Sequence, residues 1–198
     1  MNRKILISGL SILSALGIMA AATFAYFSDT GQSTGNTFST GILDLELADG
    51  DQQFTTGNVT ASFGGSLSPG TCTGNKTLTL RNNGTVAGDH AEMTVANTVT
   101  DNLLAATPDM DYYLAINNLT YDGVSVVSQM TDSNTNGYPD LADWASGTGL
   151  DDLSLTSVGG LGKDLVLDVC LASAAPNEIQ SDSVESVFTV TLNQDASL

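Results

Sequence analysis

Residues 163–171 read KDLVLDVCL, and their alternation decides the fold. Leu165, Leu167, Val169 and Leu171 fall on one face, while Val166, Asp168 and Cys170 fall on the other. A helix would scatter these residues around its axis, whereas a pleated strand collects them on one side. The same period recurs in both directions. After a break at Pro176, residues 184–192 set Phe188, Val190 and Leu192 in register. Upstream, residues 91–100 alternate about Met93 and Val95, and residues 77–81 point Leu78 and Leu80 one way. Residues 36–47 set Leu43, Leu45 and Leu47 against Asp44 and Glu46. Shorter strands are predicted at 112–116 and 124–128, separated by the turn residues Asn117-Asn118 and Asp122-Gly123, and a weaker pair within 53–63. Asn82-Asn83-Gly84 is a hairpin-type signal. Roughly eight to ten short strands with no convincing amphipathic helix predict an all-β, jelly-roll-like β-sandwich.

The first residues read differently. Arg3 and Lys4 precede an apolar run from Ile5 to Met19, followed by Ala20-Ala21-Ala22 and Thr23-Phe24-Ala25. This is the pattern of a secretory signal, residues 1–25, cleaved by signal peptidase after Ala22 or Ala25. The alternatives are an uncleaved anchor, weakened by Ser8, Ser11 and Ser14, and a pilin-type retained helix. Residues 26–198 then form a single domain, with no internal repeat and no second core. Contact with a membrane is expected through the signal peptide alone, before cleavage.

The formal charge is −17, and loss of Arg3 and Lys4 leaves three Lys/Arg against 22 Asp/Glu. Such acidity argues against nucleic acid and anionic membrane as partners and favours divalent cations. Lys76, Arg81 and Lys163 are too few to guard many sheet edges with positive charge. In an oxidising compartment Cys72 and Cys170 read as one long-range disulfide; two buried free thiols are the alternative.

Directly after the leader comes FAYFSDTGQSTGNTFSTGILDLEL, residues 24–47. An aromatic cluster (Phe24, Tyr26, Phe27) leads through a polar Gly/Ser/Thr/Asn linker, with a hinge at Gly31 to Gly35, into an alternating strand. A strand on a tether at the mature N-terminus is what one chain needs to insert into another.

The leader running into AYFSDT and GNTFSTGILDLEL resembles the TasA/camelysin family of secreted proteins with SipW-type signal peptides. LTLRNNGTVAGDHAEMTV (78–95) and the segment from Asn177-Glu178-Ile179-Gln180 through Ser183 to Phe188 agree with that family. The resemblance implies a jelly-roll subunit that polymerises head-to-tail with other copies of itself into extracellular, cell-surface or biofilm-matrix fibres. It implies donor-strand complementation, in which the N-terminal strand of one subunit completes the sheet of the next. On this chain the donor is segment 26–35, extending back to Thr23, with Phe24, Tyr26 and Phe27 as anchors. The alternative is that the segment folds back as an edge strand of its own domain. A monomeric, calcium-stabilised surface adhesion domain is the second functional reading.

Camelysin-type members are also labelled metalloendopeptidases. A zinc protease needs several imidazoles or equivalent ligands and a general base, as in HExxH. Here His90 stands alone in DHAE, where Asp89, His90 and Glu92 make at most a partial site, so no enzyme and no zinc are expected. His90 is expected to be exposed in a linker between strands. Neither a G-x-S-x-G elbow nor a phosphate-binding loop occurs.

The insertion at 131–149 carries a cation motif, DSNTNGYPDLAD at residues 132–143. Asp132, Asn134 and Asn136 occupy positions 1, 3 and 5 of a calcium loop, with Gly137 at the sharp turn. Tyr138 would offer its carbonyl, Asp140 acts directly or through water, and Asp143 closes the loop. The loop resembles dockerin-type loops. The alternative is a surface loop held by Asx-turns. Asn58, Asn75, Asn83 and Asn118 each begin an N-x-Thr sequon.

Overall fold

The computed structural model describes residues 3–22, 40–50, 53–57, 59, 63–101, 108–156 and 158–195. The proposed donor segment 26–35, with Phe24, Tyr26 and Phe27, lies outside them, as does Ala25. Helix α1 (Arg3–Ala22) belongs to one unit of the chain, and Thr40–Leu198 forms a second, compact one. The apolar side chains of α1 from Ile5 to Leu16 are exposed. Among the described residues, no helix is long and apolar enough to cross a membrane.

The compact unit is an all-β sandwich. Six antiparallel strands make the larger sheet, in the order β2 (Thr55–Thr56), β1 (Leu45–Asp49), β3 (Lys76–Asn82), β8 (Lys163–Leu171), β5 (Leu114–Tyr121), β6 (Val124–Ser125). The smaller sheet has three, ordered β7 (Leu150–Ser154), β4 (His90–Thr100), β9 (Ser183–Asn193). A helix, α2 (Leu141–Ser146), precedes β7.

One core fills the space between the sheets. β8 sits between β3 and β5 and buries Leu165, Leu167, Val169 and Leu171. Facing it, β4 contributes Ala91, Met93 and Val95, and β7 contributes Leu150 and Leu153. The alternation read from the sequence is therefore the division between core and outer face. On the outer side Asp168 is buried as well, accepting from Thr73 Oγ1 (3.2 Å) and Asn117 Nδ2 (2.8 Å).

Two local expectations fail for identifiable reasons. Asn82-Asn83-Gly84 does not close a hairpin, because β3 and β4 lie in different sheets. Asn82 is fully buried instead: its Oδ1 accepts from Gly84 N at 3.0 Å and its Nδ2 donates to the Val86 carbonyl at 2.9 Å. A Cβ at Gly84 would run into the Ile42 carbonyl, so the crossing between sheets needs glycine there. Asn117-Asn118 does not end a strand either. It lies within β5, at a register shift against β8, where a bulge absorbs the extra residue.

The bridge between Cys72 and Cys170 is formed and closes a separation of 98 residues. It pins the segment before β3 to the end of β8, where Thr73 N also donates to the Val169 carbonyl.

Candidate functional site

The feature that stands out is a side of the sandwich that, among the described residues, ends on a strand paired along one edge. β9 pairs with β4 through eleven successive partners, from Ser183↔Thr100 to Asn193↔His90. Among the described residues nothing pairs with the other edge of β9. Its inner-face residues Val184, Phe188, Val190 and Leu192 are packed against the core yet only half-buried. The partners of the last three show the contrast: Val95, Met93 and Ala91 are 6 %, 0 % and 0 % exposed.

The cause is a groove of about 1180 Å³ that opens beside β9 and runs across to the far sheet. Phe188 and Val190 form one wall, Leu45 and Leu47 the other, and Leu167 lies between. Leu45 and Leu47 thus point the way the sequence pattern assigns them, but the groove leaves them half-exposed. On the opposite face of β1, Glu46 is buried, ion-paired to Arg81, whose guanidinium lies 3.8 Å from the centre of the Phe54 ring. β9 carries no positive charge or Pro as a guard; Glu185 is its single charged residue.

One end of the groove is backed by the insertion. Leu141 lines it, and Trp144 meets Phe188 edge-on with ring centres 5.3 Å apart. Phe188 in turn packs on Phe63, also at 5.3 Å. Asn97 of β4 ties these parts together, donating to the Leu141 carbonyl at 2.8 Å and accepting from Ser186 Oγ at 2.8 Å.

The loop that leads into α2 is well ordered by its own side chains. Asp132 accepts from the main-chain N–H groups of Asn136 (3.1 Å) and Gly137 (2.9 Å). Asn134 accepts from Asn136 N at 3.1 Å, and Asn136 from Tyr138 N at 3.2 Å. Asp140 and Asp143 form a capping box on α2: Asp140 Oδ1 accepts from Asp143 N, and Asp143 Oδ2 from Asp140 N. The second Asp140 oxygen accepts from the amides of Asn134 (2.8 Å) and Asn136 (2.7 Å). Burial raises the Asp140 carboxyl above its usual range, and the donors from Asn134, Asp143 and Asn136 work against that rise. The six candidate ligands therefore share one small loop. Among the described residues, the carboxylates of Asp132, Asp140 and Asp143 do not gather into one tight cluster.

A tighter acidic cluster lies elsewhere, and it corrects the reading of His90. That residue is not an exposed linker residue: it begins β4 and is 4 % exposed. Its Nδ1 faces Asp89 Oδ2 at 3.3 Å, and its Nε2 faces Glu92 Oε1 at 3.3 Å and Asp151 Oδ1 at 3.7 Å. Asn193 Nδ2 is also 3.3 Å from Nε2. Burial lowers the affinity of the ring for a proton, but Glu92, Asp89 and Asp151 outweigh it and leave His90 raised above 6.5. Asp151 and Asn193 could not be linked to His90 from the sequence, since strand pairing alone brings them there.

The model of the family described as camelysin metallo-endopeptidase matches residues 1–135. That span takes in α1 and strands β1 to β6, along with the DHAE segment, and stops short of α2 and β9. No curated protein matches the chain. With α1, the first six strands and the motifs between them all inside the match, the chain belongs to the TasA/camelysin family.

Proposed function

We propose that this protein is a secreted structural subunit that polymerises into extracellular fibres, each copy accepting the N-terminal strand of another along β9. The observation that carries this reading is the edge of β9, unpaired among the described residues, beside a groove lined by Leu45, Leu47, Phe188 and Val190. An added strand would gain a row of main-chain hydrogen bonds, and its alternate side chains would fill the groove. With Gly31 to Gly35 as the hinge, residues 23–30 would extend over about 26 Å, most of the roughly 36 Å of an eleven-residue strand. Phe24 and Tyr26, on one face of an extended strand, supply large apolar surface for such a groove, while Phe27 points the other way. A donor at one end and an acceptor elsewhere make a heterologous contact, which extends into open filaments rather than closing into rings. The leader, the acidity and the disulfide support an extracellular location.

Removal of residues 23–33 tests this directly. Electron microscopy should show no fibres from the shortened chain, and a synthetic peptide of residues 23–35 should bind it saturably. Fibres formed unchanged by the shortened chain would sink the proposal.

We also propose that the 132–143 loop takes calcium, which would add to the hold on a loop and α2 already shaped by their own hydrogen bonds. Its spacing supports this, and an affinity of order 10⁻⁴–10⁻³ M suits three acidic ligands. Calorimetry showing no heat at millimolar calcium would exclude it. Calcium-dependent stability without any fibre would favour the adhesion-domain reading.

The family description names a metallo-endopeptidase, so the fit of a metal needs testing against the residues present. One imidazole and two carboxylates, His90, Glu92 and Asp151, are a donor set that fits a divalent ion. When bound, such an ion could polarise a carbonyl group or acidify a water. Glu92 and Asp151 would then be ligands and Asp89 would hold the ring, so none of the carboxylates contacting His90 is left as a general base. With no HExxH in the chain, we read the protein as non-catalytic. Absence of casein hydrolysis by the pure protein, with and without zinc, is the expected result.

A further inference from the structure

We infer that His90, Glu92 and Asp151 form a structural site for one divalent transition-metal ion, zinc above all, that clips the smaller sheet together. This inference is independent of strand exchange and of the calcium loop.

Geometry comes first. Ligands about 2.0–2.1 Å from a tetrahedral ion lie about 3.3–3.4 Å from one another. His90 Nε2 lies 3.3 Å from Glu92 Oε1 and 3.7 Å from Asp151 Oδ1, and the three ligand atoms all fall within 4.8 Å of each other. The two separations from His90 are thus within a few tenths of an ångström of tetrahedral spacing, and rotation of the half-exposed Glu92 and Asp151 side chains can set the third. The half-exposed Glu92 and Asp151 leave the site open to solvent on one side.

The backbone aims the third ligand. Ala91 pairs with Leu153 and Met93 with Leu150, so Asp151 and Asp152 together oppose Glu92 alone. Asp152 takes up the extra residue with φ of 53°. Such bulges re-aim a side chain, and here the carboxylate delivered beside His90 is that of Asp151.

The far side of the ring is arranged as a metal ligand requires. Metal-bound imidazoles commonly donate their other N–H to a carboxylate, which fixes the tautomer and leaves the second nitrogen free to bind. Asp89 Oδ2, 3.3 Å from Nδ1, is that carboxylate. Half a turn of the Asn193 amide would bring its oxygen to the place now held by Nδ2, 3.3 Å from Nε2, as a candidate fourth donor. The imidazole favours zinc and its neighbours over calcium or magnesium, which prefer all-oxygen sites.

The ligands come from β4 and β7, and Asn193 from β9, so one ion would engage all three strands of the smaller sheet. Its effect is a cross-link at the end of the exposed edge strand.

The test uses the full mature chain, stripped with a chelator and kept in millimolar calcium so that the 132–143 loop is not the reporter. Zn²⁺ is titrated by calorimetry and thermal unfolding, and Co²⁺ by its visible absorption. One equivalent of zinc should bind at micromolar or lower concentration and raise Tm. Glu92→Gln and Asp151→Asn, at half-exposed positions, should each weaken binding by at least about ten-fold. Asp89→Asn, a positioning change, should weaken it about 10–100-fold and shift the cobalt spectrum. Asp132→Asn should leave the zinc affinity and the cobalt spectrum unchanged. No saturable zinc binding, or binding that Glu92→Gln and Asp151→Asn both leave intact, overturns the inference.

Discussion

Strands β8 and β9 each set four apolar side chains on the inner face, yet they meet different surroundings. Leu165, Leu167, Val169 and Leu171 of β8 are buried, because β3 and β5 flank the strand and the smaller sheet covers it. Val184, Phe188, Val190 and Leu192 of β9 are half-buried, because β4 flanks one side and a groove opens on the other. The difference teaches where the stability of the single chain resides. β8 sits at the centre of the packed core, and the apolar face of β9 is the surface that the proposed strand exchange would cover.

The comparison can be attacked first through the disulfide, which anchors β8 and leaves β9 untouched. Replacing both Cys72 and Cys170 by Ser should lower stability by about 4–5 kcal/mol in the chain-entropy account of a loop this long. Denaturant unfolding measures it, and a loss under about 1 kcal/mol would mean that β8 needs no anchor. Next come paired truncations. Leu165→Ala, at a fully packed site away from the groove, should cost about 2–5 kcal/mol in the same measurement. Val190→Ala should cost the monomer less than about 1 kcal/mol, because its methyl groups already lie partly in water. Equal losses at the two positions would erase the distinction between the strands.

Much of the fold was legible because alternation is a local property. Residues 163–171 announce a strand by themselves, and the spacing of turn residues announces a sandwich. Whether a strand is central or at an edge depends on its neighbours, so 184–192 looked as secure as 163–171. Asn82-Asn83-Gly84 misled for the same reason: a turn within one sheet and a crossing between two sheets use similar residues. Within the candidate sites, the calcium spacing and the cysteine pair are visible in one dimension, and the disulfide is formed. The surroundings of His90 are not visible there. Asp151 and Asn193 reach it through β7 and β9, and Asn193 is 103 residues away along the chain. Counting histidines overlooks a site that draws two of its ligands from carboxylates.

The pairing of β9 with β4 has a mechanical side. All eleven partners run in unbroken antiparallel register, with no bulge along their length. Tension applied along β9 would load these backbone hydrogen bonds in shear, sharing the force among them at once. Peeling the strand away from one end would instead break them singly. A subunit gripped along this strand is therefore stiff to a lengthwise pull and weak to a sideways one, as the links of a tensile cable are.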